Sequence, residues 1–351
     1  MLHTRRNALK LLSGTAALAS GALPLAPYGI GGAAAQTGRS MQINLLGFAL
    51  GIHVPTTAAV MDIMPTYPGY AAPKTQRIEQ IRTVTQTLVA GAAELGQTDP
   101  ITTLRAVEAG ADLKMVAFWY MNTSLAFVVN ADKIRELKDL EKPDTIVAIN
   151  SKGDITEVML VGPLIKRGVD PKKIQIIEIG GSGGRMRALL SGRVHAVPVH
   201  FDQAAEIAKQ GNYQVLIEPW KEYKAWINEV WVVNGTWLKS AANQRALVDL
   251  IKATITGFRK ANDDFAWYAQ MYRKHVTLPK ANEATDEAIK PLWEGLVRDV
   301  KAWPPNMDFK VDPFDDLLPV YKAAGAVEGK VQPSQVVETS FVQQALAELG
   351  R

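Results

Sequence analysis

The sequence predicts an α/β protein of two similar lobes with a helical C-terminal extension. One observation is an internal repeat. LVAGAAELGQTDPITTLRAVEAG, residues 88–110, and LLSGRVHAVPVHFDQAAEIAKQG, residues 189–211, superpose without a gap, Gly91 on Gly192 and Gly110 on Gly211. A second is the alternation, through residues 41–238, of apolar runs too short for helices with helical patterns, which implies parallel sheets. The third is a pair of nearly matching strands, LAFVVN (125–130) and EVWVVN (229–234), that bracket the second copy of the repeat.

Each copy reads as helix, strand, helix. Glycine after TQTLVA and after MRALLS can take the left-handed conformation that ends a helix. AAELGQT and VHAVPVH sit between glycine punctuation as buried strands do. In DPITTLRAVEAG, Asp99 can cap the helix and Pro100 suits its first position. Around these units, MQINLLGFAL opens the fold as a strand, and a loop through His53 and Pro55 leads into a short helix. TQRIEQI reads as a strand and TVTQTLVA as a helix, and LKMVAFWY and SLAFVVN are strands. TIVAIN, KIQIIEI and VHAVPVH form the second lobe, each followed by a helix. The expected division is 36–128 with 229–351 as lobe I and its C-terminal helices, and 129–228 as lobe II. LAFVVN and EVWVVN serve as the hinge. Beyond residue 238 the pattern is helical and is expected to wrap back onto the first lobe.

The first 35 residues stand apart. A basic start, the apolar LLSGTAALASGALPLA and small residues before Gln36 form the three-part pattern of an export signal. Arg5 and Arg6 resemble a twin-arginine pair. Pro24 and Pro27 leave too short an apolar run to span a membrane. The formal charge of +4 loses Arg5, Arg6 and Lys10 with this segment and becomes +1, so the basic balance does not point to nucleic acid. With no cysteine in the chain, disulfides, thiolate metal sites and cysteine nucleophiles are excluded.

VAGAAELGQTDPITTLRAVEAGADLKMVAFW and LIKRGVDPKKIQIIEIGGSGGRMRALLSGRVHAVPVHFDQAAEIAKQG resemble the nitrate/sulfonate/taurine-type (SsuA/NMT1-like) substrate-binding proteins of ABC importers. The resemblance covers roughly residues 41–238. It implies the two-lobed periplasmic binding protein fold of type II and a location in the periplasm. The implied partners are a small-molecule solute and an inner-membrane permease with its ATPase; nucleic acid, cofactor and metal are not expected. The protein should act as a monomer and perform no chemistry. The family also includes relatives of the pyrimidine synthase of thiamin biosynthesis, whose cysteine-rich segment has no counterpart here.

Ligands in such sheets collect beyond the carboxyl ends of strands, where helix starts expose unpaired N–H groups. The turns Thr98–Asp99–Pro100 and His200–Phe201–Asp202 should face each other across the cleft. GIHVPTT offers His53, Thr56 and Thr57; NSKGDIT offers Ser151, Asp154 and Thr156; GGSGGR offers Ser182 and Arg185. The family usually carries a small hydroxyl residue where Asp154 stands. Among the aromatics near strand ends, Phe118, Trp119, Tyr120, Phe201 and Trp231, the expected ligand contacts are Trp119, Phe201 and Trp231. Hydroxyls and helix starts favour a small organic acid, a carboxylate or sulfonate. The aspartates favour instead a pyrimidine-like heterocycle whose N–H groups they would accept.

Two rival readings follow from short patterns. GGSGG matches G-x-S-x-G, the nucleophile elbow of a serine hydrolase. A triad then needs an acid and a later histidine, yet His195 and His200 follow too closely and His275 sits among cations. The four histidines after the signal show no HxH or HExxH spacing for a metal.

Overall fold

The structure is a computed structural model that describes residues 38–47 and 49–350. The expected export segment and its arginine pair lie outside the described residues.

The first lobe is built from β1 (Gln42–Leu46), α1 (Val54–Ala58, preceded by a helical turn Gly51–His53), β2 (Lys74–Ile78), α2 (Ile81–Val89), β3 (Leu95–Thr98), α3 (Pro100–Glu108) and β4 (Leu113–Tyr120). The second comprises β5 (Leu125–Asn130), β6 (Ile146–Ile149), α4 (Ile155–Lys166), β7 (Gln175–Glu178), α5 (Ser182–Leu190), β8 (Ala196–His200), α6 (Phe201–Ala208), β9 (Tyr213–Ile217) and α7 (Pro219–Glu222). The chain then returns through β10 (Glu229–Asn234) to α8 (Ala241–Asp263), α9 (Phe265–His275), α10 (Asp286–Glu294), α11 (Asp312–Ala323) and α12 (Ser340–Glu348).

The two five-stranded sheets share one plan, β2-β1-β3-β10-β4 and β7-β6-β8-β5-β9. In the first, β1 runs parallel to β2 and β3, and β10 lies antiparallel between β3 and β4. In the second, β6 runs parallel to β7 and β8, and β5 lies antiparallel between β8 and β9. The repeated units therefore occupy equivalent places, β3 matching β8. Asp99 caps α3 through Thr102 N–H, with Pro100 at the first position. Gly91 and Gly192 end α2 and α5 at φ +68° and +72°, a left-handed turn that a side chain would resist. Gly211 is not in that region, so the repeat diverges at its last residue.

LAFVVN and EVWVVN match because each fills the same slot. Both are buried along five of six residues between two neighbouring strands. LAFVVN lies wholly in the second sheet and EVWVVN wholly in the first. The crossings are thus the connections 121–124 and 218–228, and residues 125–128, expected with the first lobe, pair in the second sheet.

The C-terminal helices divide their packing. α8 and α9 cover α1, and α12 lies on α8 beside β4. α11 instead packs on α4 of the second lobe, where only a return to the first was expected. The reason lies in α4: Ile155, Thr156 and Val158–Leu164 are all buried, so this helix needs cover on more than one side. Val320 of α11 comes so close to Gly162 that a Cβ there would stand 2.8 Å from it. Another close approach fixes α8, where a Cβ on Gly257 would meet the Pro55 carbonyl oxygen at 2.5 Å.

Candidate functional site

The lobes stand closed on each other, and the contacts that close them follow one pattern. The first amide of each of three helices donates to a side chain of the opposite lobe. Ile155 N–H, opening α4, donates to Asp99 Oδ2 at 3.0 Å. Ile81 N–H, opening α2, donates to Asn150 Oδ1 at 3.2 Å, while Asn150 Nδ2 donates to the Glu79 carbonyl at 2.9 Å. Gly51 N–H, at the turn before α1, donates to Asp202 Oδ2 at 2.9 Å. These side chains sit at the carboxyl ends of β3 and β6 and at the start of α6, where the alternating topology aims chain ends into the gap.

Between the lobes lies a small cavity of about 40 Å³, room for little more than a water molecule. Its first-lobe wall includes His53, Glu79, Asn228 and Glu229; its second-lobe wall includes Asn150, Thr156, Ser182, Arg185 and His200. Larger hollows lie between α5–α6 and α9–α10, about 780 Å³, and on the outer face of the second lobe, about 510 Å³. What marks the small one is its wall, where buried histidines from both lobes meet a buried glutamate.

Glu229 opens β10 and is buried with its carboxylate inward. It accepts from Gln97 Nε2 and, at 3.4 Å, from Asn228 Nδ2, which also reaches Tyr120 Oη at 3.0 Å. Among the described residues no lysine or arginine pairs with Glu229; its nearest cation-forming neighbour is His53, whose Nε2 lies 3.5 Å from Oε2. His53 Nδ1 accepts from Leu50 N–H at 2.9 Å, so the proton of the neutral ring belongs on Nε2. Among the described residues that buried Nε2 has no hydrogen-bond partner, and neither has Asn228 Oδ1. His200, 5.1 Å from the His53 ring, shares a 2.9 Å bond between Nδ1 and Ser124 Oγ. Burial first, then His53, depresses its pKa well below the ordinary histidine value, so the ring is neutral.

The acids next to the cleft are perturbed the other way. Burial pushes Asp99 up to about 6 against the bonds from Thr102 and Ile155, and burial with the Asp99 charge pushes Asp154 up to about 7. Asp202 is raised by burial too. Burial lowers Arg185 to about 10, opposed by Asp154 and Glu79. Its guanidinium donates to the Pro198 carbonyl at 2.9 Å and to the Gly180 carbonyl, which spends it on holding the glycine turn.

Of the residues singled out in the sequence, the structure brings His53, Ser182 and His200 to the cavity, with Thr156 and Arg185. Asp99, Asp154 and Asp202 stand behind it as caps; Asp154 accepts from Ser151 N–H, Thr156 N–H and Glu157 N–H. Ser151 Oγ donates to Asn150 Oδ1, and Thr56 Oγ1 donates to the Trp119 carbonyl. Thr98 Oγ1 shares bonds with Thr85 and Thr102. Trp119 and Trp231 are fully buried against each other, ring centroids 4.5 Å apart, and do not line the cavity. Phe201 packs on Trp220 and faces the 780 Å³ groove. Phe118 stacks among Phe309 and Phe314.

Glu79, Asn150, Asn228 and Glu229 also line the cavity and are not among the residues the sequence singled out. A signal for Glu229 existed: a carboxylate heading the apolar run Val230–Val233 has no packing reason. Ser182 is the first residue of α5 and is not among the residues of positive φ, so it lacks the strained turn of a nucleophile elbow. His275 pairs with Asp62, and His195 Nδ1 accepts from Ile146 N–H, both away from the cavity.

His53, His200 and Glu229 place ligand atoms within 4.8 Å of one another, close enough to consider a metal. The Leu50 bond argues against it. A metal-bound histidine usually donates from its other nitrogen, whereas His53 accepts there and would need to lose both ring protons. The set suits hydrogen bonding: a donor at His53 Nε2 beside an acceptor at Glu229.

Residues 78–264, just over half of the chain, match the family model described as NMT1/THI5 like. The chain belongs to the NMT1/THI5-like family. Comparison with the curated proteins gives no match. Among solved structures, this family member is similar to a zinc-bound ligand-binding component of an ABC-type import system from Staphylococcus aureus (13% identity, 88% of this chain and 99% of that one, TM-score 0.71). It is also similar to the alkanesulfonate-binding protein SsuA from Xanthomonas axonopodis pv. citri bound to MOPS (14%, 86% and 99%, TM-score 0.67). The periplasmic nitrate-binding protein NrtA from Synechocystis PCC 6803 is a third (12%, 89% and 89%, TM-score 0.71). These likenesses establish the two-lobed periplasmic binding protein fold.

Proposed function

We propose that this protein is the solute-binding component of an ABC importer, working in the periplasm as a monomer. It closes on a small solute that offers N–H groups, and it passes that solute on without chemical change. Glu229 carries the reading of the ligand. Among the described residues it is a buried carboxylate that meets only neutral donors, beside a His53 N–H without a hydrogen-bond partner. Buried charge is costly unless paired or fully hydrogen-bonded, and a solute N–H would supply what the protein withholds. An acceptor on the same solute would take the His53 proton. This donor–acceptor edge favours the pyrimidine-like heterocycle of the two sequence readings. A bare carboxylate or sulfonate would face both Glu229 and Glu79 on the wall.

The organic-acid reading retains one supporting feature. α5 begins at the cavity with no side-chain cap, so its first amides are open to an acceptor or anion. The import role is supported by what the similar structures are described as doing and by the export pattern expected for residues 1–35. A thermal-shift screen over aminopyrimidines, aliphatic and aromatic carboxylates, sulfonates, taurine and nitrate tests both. A solute at a hundred times its dissociation constant adds about 2.7 kcal/mol of stability. Stabilisation by aminopyrimidines alone is expected; stabilisation by acids alone would reverse the ligand class.

A further inference from the structure

The three cross-lobe caps form a ring around the cavity, and each satisfies a helix amide that would otherwise face the gap. Asp99 reaches from the first lobe to α4, and Asn150 and Asp202 reach back from the second to α2 and the turn before α1. All three side chains are buried. Their acceptor atoms come from polar residues at strand ends and helix starts, and the amides belong to first helical turns, where four N–H groups go unmet within any helix. Opening the lobes would strip all three at once. It would also part Arg82 from Glu178, 3.3 Å apart across the same gap, and Arg105 from the Gly153 carbonyl at 3.2 Å.

We propose that the protein latches itself: reciprocal capping of one lobe's helices by the other's side chains holds the closed form without solute. A solute larger than the cavity of about 40 Å³ must then part the lobes to reach His53 and Glu229, so its binding works against the latch. This rests on the reading that the lobes open and close, and it reaches further by assigning the closing force to Asp99, Asn150 and Asp202. A second consequence concerns selectivity. The amides of Gly51, Ile81 and Ile155 are filled by protein, whereas α5, which starts at the cavity, has no side-chain cap among the described residues.

Small-angle scattering of the solute-free protein tests the latch, with Asn150→Ala and Asp202→Ala, singly and together. Asp99 is left in place because it also caps α3. Net loss of one hydrogen bond shifts the closing equilibrium about fivefold, so the double variant should shift it about 25-fold and show a larger radius of gyration than wild type. Circular dichroism of the variants should be unchanged. A wild-type protein that is open without solute would overturn the proposal, as would variants as compact as wild type. None of these readouts needs solute, so failure of the latch and failure of the binding role are told apart by the thermal-shift screen.

Discussion

Asp99 uses its two carboxylate oxygens on two lobes: Oδ1 accepts from Thr102 N–H at 2.6 Å within α3, and Oδ2 accepts from Ile155 N–H at 3.0 Å across the gap. Asp154, the cap of α4 itself, lies close enough for its pKa to feel the Asp99 charge. Two buried carboxylates thus meet where two helix starts converge, close enough for the Asp99 charge to raise the Tyr321 hydroxyl of α11 and for Arg185 to oppose the rise of Asp154. The helix amides favour the charged forms, and burial and mutual repulsion favour protonation. Burial wins at both.

The sign of the pH dependence follows. Both pKa values are raised above the unfolded value of about 3.9. The folded protein therefore binds more protons than the unfolded chain between about pH 4 and pH 7. The contribution to stability is complete below the unfolded pKa and is lost as the pH rises through about 6 and 7. The melting temperature should fall between pH 5 and pH 8, with this pair contributing on the order of 4 kcal/mol. Asp154→Asn removes one of the two charges, and its melting temperature should depend less steeply on pH. An Asp154→Asn slope equal to that of wild type would locate the pH dependence elsewhere.

Gly257 supplies a stability prediction. Its missing side chain lets α8 lie against α1, and a Cβ would meet the Pro55 carbonyl oxygen at 2.5 Å. A backbone oxygen cannot swing aside as a side-chain tip does. Gly257→Ala gains helix propensity of about 1 kcal/mol and loses more to overpacking, which typically costs 1–3 kcal/mol. The net expectation is a destabilisation of about 1 kcal/mol, read as a lower urea midpoint with an unchanged slope.

The fold was legible because the determinants are local and repeated. Gly91, Gly192, Pro100 and the cap that Asp99 gives α3 act within a few residues of themselves, and a doubled unit predicts a doubled lobe. The similarity of LAFVVN and EVWVVN was also real, and it marks equivalent slots in two sheets. Which sheet each strand joins depends on pairing partners a hundred residues away, and a strand's own sequence does not encode that. The site was only half legible for the same reason. Strand ends pointed to His53, Ser182 and His200, which the structure places on the cavity wall. The aromatic choices failed to separate filling from binding, since Trp119 and Trp231 satisfy packing with each other. Asp99 and Asp202 were placed near the gap, but only the closed arrangement reveals that each caps the other lobe.

Glu229 yields the sharpest prediction about binding. Its carboxylate is held by Gln97 Nε2 and Asn228 Nδ2, both neutral, with His53 Nε2 at 3.5 Å. Glu229→Gln keeps the shape of the wall, removes the charge, and puts a donor where a solute N–H is expected to donate. Hydrogen bonds to charged groups contribute about 1.5–3 kcal/mol, so affinity for an N–H-bearing solute should drop roughly 10- to 150-fold by calorimetry. The same change should relieve repulsion of acids, so any weak binding of carboxylates or sulfonates should strengthen. His53→Phe separates the two halves of the edge: it removes the Nε2 donor and leaves Glu229 in place, so a solute with N–H donors but no acceptor should lose little. Equal losses for every solute class would mean that these residues shape the cavity without reading its contents. If Glu229→Gln instead binds the heterocycle as tightly as wild type, the charge on Glu229 serves the closed fold, and the solute is held through α5 and Ser182.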